Sequence, residues 1–124
     1  MTDRELLEAA AKAAGMKGMK FTSGGMVRMI DPTRPETTGS IGGYWNPLTD
    51  DGDALRLAVA LHITVVVEGD QPDDRYRRTK AVHRIIGNKC ELHRADPNAA
   101  TRRAITRAAA EIQRQREASK SARS

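Results

Sequence analysis

Apolar residues recur with a helical period near both ends and in the middle of the chain, and cluster as they do in strands between those segments. Leu6, Leu7, Ala10, Ala11 and Ala14 form the first stripe. Ahead of it, Thr2-Asp3-Arg4-Glu5 fits a capping box, in which Thr2 accepts from the Glu5 amide and the Glu5 carboxylate reaches back to the Thr2 amide. Gly15 is a natural left-handed stop. After Met16 the pattern changes: Phe21 and the run Met26 to Ile30, separated by Ser23-Gly24-Gly25, predict one or two short strands. Asp31 to Ser40, with Pro32, Pro35 and Gly39, has no period and predicts a surface loop.

The segment from Gly42 to Val67 packs an aromatic loop, a proline turn, an acidic helix start, an amphipathic helix and a buried strand into one unit. Asp50 or Asp51 caps that helix and Asp53 sits against the positive end of its dipole; the spacing predicts a helix over about Asp51 to His62, with Leu55, Val59 and Leu61 as its apolar repeat. Ile63 to Val67 is a β-branched run of the kind found in buried strands. Glu68 to Asp74, with Gly69 and Pro72, turns the chain. Ala81 to Arg94 predicts a hairpin, and a two-residue Gly87-Asn88 turn sets Ile85 opposite Cys90, Arg84 opposite Glu91 as an ion pair, and His83 opposite Leu92. Asp96-Pro97 opens a last, arginine-rich helix through Ala100, Ile105, Ala108, Ala109 and Ile112. The order of elements predicts an α+β fold, a small, mostly antiparallel sheet with helices packed on it. Residues 1–113 are expected to form a single domain, and 114–124, where the apolar stripe is lost, a basic, disordered tail.

Two stretches, YWNPLTDDGDALRLAVALHITVVV and ADPNAATRRAITRAAAEI, cover about half of the chain. In layout they resemble small phage and prophage proteins carrying the phage ABA sandwich domain. The resemblance implies a phage or prophage origin and a layered α/β/α sandwich, and it brings no established active site. The basic extension after Ile112 and the proline loop around Pro32 depart from that family's pattern.

A chain of 124 residues is long enough for one ordinary core. Apolar residues make up 39% and aromatic residues only 3%, so the core must be built from Leu, Ile, Val, Met and Ala. A lone cysteine, Cys90, and an N-terminus without a basic start or apolar run predict a cytoplasmic protein of the host cell. No stretch approaches the ~18 apolar residues of a membrane span, so no membrane partner is expected. The net charge of +5 permits contact with nucleic acid or acidic protein surfaces. Its distribution is uneven, with basic residues crowding the last third.

Candidate chemistry is sparse. Asp50, Asp51 and Asp53 suggest a cation site but are better explained as helix caps. His83, Cys90 and His93 invite a zinc site, yet the hairpin points His93 away from the face of Cys90. His62 is a general base only if the fold supplies a partner. Gly24-Gly25 and Gly39 to Gly43 match no phosphate-binding spacing and read as turns. Tyr44, Trp45 and Asn46, beside Pro47, are candidate partner-binding residues, since Tyr and Trp anchor recognition sites; the alternative for Trp45 is a plug at the end of the core. Arg75, Arg77, Arg78, Lys80, Arg102, Arg103 and Arg107 are candidate phosphate contacts. With no catalytic, metal or cofactor motif, the first reading is a non-enzymatic phage or prophage accessory protein that binds a macromolecule, such as a host protein that it modulates. The alternative is sequence-nonspecific nucleic-acid binding through the basic third; a hydrolase built on His62 and Asp51 or Asp53 ranks last. A dimer is one way to cover the strand at Ile63 to Val67.

Overall fold

The computed structural model describes residues 1–16, 20–22, 25–27, 44–70 and 72–123, with backbone alone at 20–22, 25–27, 44 and 123. The loop expected at Asp31 to Ser40, the glycines Gly24 and Gly39 to Gly43, and the side chain of Tyr44 lie outside the described residues.

Helix α1 (Asp3–Ala13) starts where the capping box places it. Thr2 Oγ1 accepts from the Glu5 amide at 3.2 Å, while the Glu5 carboxylate takes the Thr2 hydroxyl at 3.1 Å rather than the Thr2 amide. Gly15 ends the helix at φ +79°, and the Met16 amide reaches back to the Ala11 carbonyl at 3.0 Å, which satisfies a terminal carbonyl. Strands β1 (Lys20–Thr22), β2 (Gly25–Val27) and β3 (Tyr44–Trp45) form a small antiparallel sheet in that order.

Helix α2 (Asp51–Ala60) is capped by Asp50, whose carboxylate accepts from the Asp53 amide at 2.8 Å. Asp53 is buried and satisfied by the Asn46 amide at 3.0 Å and by Arg56 at 2.7 Å. The expected apolar repeat is only partly correct. Leu61 is buried, but Leu55 and Val59 are 63% and 67% exposed, and Ala54, Leu57 and Ala58 face the core instead. The helix meets the protein through its small residues, which let it approach closely, and leaves an apolar ridge outside.

Strands β4 (Thr64–Glu68), β5 (Arg78–His83) and β6 (Gly87–Leu92) make a second antiparallel sheet with β5 in the centre, and a short 3₁₀ turn at Asp74–Tyr76 precedes β5. The hairpin is present, but its register differs from the expected one. Ala81 pairs with Lys89, Val82 with Asn88 and His83 with Gly87, so the loop is Arg84-Ile85-Ile86. The Ile86 amide bonds the His83 carbonyl at 3.2 Å and Gly87 follows at φ +75°, a turn that needs glycine after the loop rather than inside it. Cys90 therefore lies beside Lys80 instead of Ile85. Glu91 pairs with Arg107 instead of Arg84.

Helix α3 (Pro97–Arg123) lies across this sheet, touching all three strands, with α1 and α2 packed against it. The α+β arrangement of helices on an antiparallel sheet agrees with the sequence. Ala104, Ala108 and Ala109 are fully buried, and with Leu7, Leu57, Ile63, Ile105 and Ile112 they build one core. Trp45 belongs to the same core. Residues 114–123, expected to fray, continue the helix. Gln113 and Glu117 bond at i, i+4, Arg114 bonds Glu111, and Arg116 Nη1 donates to the Ala13 carbonyl at 3.1 Å, so the first turns of the extension are tied to the fold. Among the described residues, no helix is long and apolar enough to cross a membrane.

Candidate functional site

The end of the sheet that carries the β5–β6 turn opens into a cleft of about 700 Å³ between the α2–β4 joint, the turn and the last third of α3. His62, His83, Arg84 and Arg116 line it, together with Thr64, Ile85 and apolar atoms of Leu61 and Val82. Each arrives by a different local rule. His62 follows α2 at φ +56°, the left-handed position that usually takes glycine, and the Ile63 amide then bonds the Ala58 carbonyl at 2.9 Å. A side chain there costs roughly 1 kcal/mol of backbone strain relative to glycine, so its presence invites a functional reading. His83 is the last residue of β5 and Arg84 the first of the turn. Arg116 is placed by the continuation of α3 and by its bond to the C-terminal end of α1.

Electrostatically the cleft is one-sided. Among the described residues, its lining holds two guanidinium groups and two imidazoles and no carboxylate. Partial burial, then the positive charges of Arg84, Arg116 and His62, lower the pKa of His83. The Ile85 amide donates to His83 Nδ1 at 3.2 Å, so in the neutral ring the proton sits on Nε2. Neutral His83 is thus a donor with its second nitrogen already used. The cleft presents donors and positive charge to whatever enters, which suits an anion.

The basic residues singled out from sequence are placed differently. Arg75 is held by Asp73 at 2.6 Å, Arg77 by Asp74 at 2.8 Å, Lys80 and Arg78 by Glu68 at 3.0 and 3.5 Å, Arg102 by Asp51 at 2.6 Å, Arg103 by Asp3 at 3.1 Å and Arg107 by Glu91. Each has a carboxylate of its own chain. The pairing with Arg75 lowers the pKa of Asp73, and that with Lys80, then Arg78, lowers the pKa of Glu68. Nor do they share a face. Arg78 and Lys80 alternate with Thr79 and Ala81, which are buried, and so point to the side of the sheet away from α3. Arg102 reaches the start of α2 and Arg107 the rim of β6.

The aromatic candidate is also corrected. Trp45 is 1% exposed and plugs the core, which removes it as a contact for a partner. Asn46 spends its side-chain carbonyl on the Leu48 amide at 3.0 Å, within the proline turn. Asp50 and Asp53 are occupied as the cap and the buried ion pair described above. His93 is buried and bonds Thr79 at 2.8 Å, on the face opposite Cys90. Among the described residues no three or more His, Cys, Asp or Glu are grouped so as to hold a metal ion.

Sequence reasoning placed Arg84 and Arg116 within the basic third without singling them out as phosphate contacts, and named the two histidines for other roles. The four residues are separated by up to fifty-four positions (62 to 116), and the shifted hairpin register concealed that His83 stands at the sheet's end. No protein-family model, no curated protein and no solved structure matches the chain, so its function is argued from this geometry.

Proposed function

We propose that the protein is a non-enzymatic nucleic-acid-binding module that holds backbone phosphates in the cleft of His62, His83, Arg84 and Arg116. The observation that carries this reading is the lining of that cleft, which among the described residues holds basic groups and no acidic one, in a molecule whose other candidate arginines are matched to carboxylates. Arg84 and Arg116 offer planar forks suited to phosphate oxygens, and His83 Nε2–H adds a donor between them in chemistry if not in charge. The positive lining continues along α3, because Lys120 lies four residues beyond Arg116 and is exposed, about 6 Å further along the same helix face. A row of cations at such intervals fits a polymer with regularly repeated negative charge better than it fits a folded acidic protein. The contacts this reading rests on are to phosphate oxygens, which carry no base sequence, so the proposed binding is sequence-nonspecific.

The test is fluorescence anisotropy of a labelled mixed-sequence oligonucleotide over a salt series. Log affinity should fall linearly with log salt, and Arg84→Ala and Arg116→Ala should each reduce the slope by about 0.7–0.9, the loss of one phosphate contact. Arg107→Ala, which removes an arginine already paired with Glu91, should leave the slope unchanged. Absence of binding at low salt, or a slope indifferent to Arg84 and Arg116, would sink the proposal.

A further inference from the structure

Strand β4 is the edge of its sheet, pairing with β5 and, among the described residues, with nothing on its other side. Its sequence, Thr64-Val65-Val66-Val67-Glu68, contains none of the devices that keep natural edges from pairing: no lysine, no proline and no bulge. The charge of Glu68 is taken up within the chain by Lys80 at 3.0 Å. Val67 is 59% exposed. Beside the strand runs an apolar groove of about 310 Å³, lined chiefly by Ala54, Leu55, Val65, Val67, Pro97 and Ile105. The exposed ridge of Leu55 and Val59 flanks it.

We infer that this edge pairs with the β4 edge of a second copy, making a two-fold dimer with a continuous six-stranded sheet. The strand is self-complementary. Antiparallel pairing centred on Val66 uses all five residues, setting Val66 on itself, Val65 on Val67 of the second copy and Thr64 on Glu68. No like charges meet. His62 and Asp70 lie just outside the strand, His62 in the left-handed turn before it, and at this register both stand near the seam, where an imidazole and a carboxylate from the two copies leave no like charges opposed. Those two residues are exposed in the single chain. The register also decides the layering. Because directly opposed residues share a face, pairing Val65 with Val67 keeps both helical layers on one side and sets the two Leu55–Val59 ridges against each other across the axis. A shift by one residue would oppose Val65 with Val66, put the layers on opposite sides and leave both ridges in water.

The inference is tested by sedimentation velocity of the full chain at micromolar concentration, with thermal melts to confirm folding. The wild-type protein should sediment at twice the 13.6 kDa chain mass. Val67→Lys, at an exposed position that any side chain can occupy in the monomer, should give a folded monomer. Asp70→Lys should weaken the dimer at least tenfold, and combining it with His62→Asp should restore it, since aspartate also tolerates the left-handed backbone at that position. A wild-type protein that is monomeric throughout, or a dimer untouched by both Val67→Lys and Asp70→Lys, would overturn it.

Discussion

The buried hydroxyl of Thr79 lies 2.8 Å from His93 Nε2 and 2.8 Å from the hydroxyl of Thr101, which in turn bonds the Pro97 carbonyl at 2.9 Å. Counting protons fixes every direction in this chain. A carbonyl only accepts, so Thr101 donates to Pro97 and must accept from Thr79; Thr79 has then given its one proton and must accept from His93 Nε2–H. The network joins β5, the end of β6 and the first turn of α3, with Thr79 and His93 buried within it. Thr79→Val keeps the shape and removes the middle link, leaving His93 Nε2–H buried without an acceptor. Urea unfolding should show a loss of about 1–3 kcal/mol for Thr79→Val, and a smaller loss for Thr79→Ser, which keeps the hydroxyl. Equal losses would mean that packing, not the hydrogen bonds, matters at this position.

Among the elements, α3 carries the most contacts because its alanines let three neighbours approach at once. Ala104, Ala108 and Ala109 are fully buried, with α1, α2 and the sheet around the helix. Ala108→Leu adds volume where none is free and should cost about 1–3 kcal/mol in thermal or urea unfolding, despite leucine's good helix propensity; an unchanged midpoint would show that the interface is loose there. The same element marks what the sequence could and could not reveal. Caps and stops were legible at Thr2, Gly15 and Asp50, since they depend on residues three or four apart. The phase of α2 was not, because Leu55 and Val59 look like core while the close approach of helices selected Ala54 and Ala58. The hairpin register was misplaced because Gly87 was read as part of the loop, whereas the left-handed residue follows it. The continuation of α3 beyond Arg114 depends on tertiary and i, i+4 bonds that carry no apolar period. The cleft was illegible for the same reason as most sites: its residues converge only in space.

For the whole molecule, the net charge of +5 understates the asymmetry, since paired charges cancel on several faces while the cleft keeps its own uncompensated. This makes both stability and binding depend on pH, in opposite senses. The pKa of His83 is lowered in the folded chain, so as pH falls the unfolded state takes up its proton first, near the usual 6.5, and the folded state loses stability until its own lower pKa is passed. Above 6.5 the effect is absent. A phosphate in the cleft reverses the preference, because an anion beside the ring favours the charged imidazolium. Between pH 7.5 and pH 5.5 the free protein should therefore lose more stability than His83→Gln, which has no proton to gain, as read from unfolding curves at each pH. Over the same interval the affinity for an oligonucleotide should rise for wild type and rise less for His83→Gln, at constant ionic strength. The two trends come from one ring and must change together: if the variant flattens the stability curve but leaves the pH dependence of affinity intact, His83 is not in contact with the bound anion, which the other residues of the cleft then hold without it.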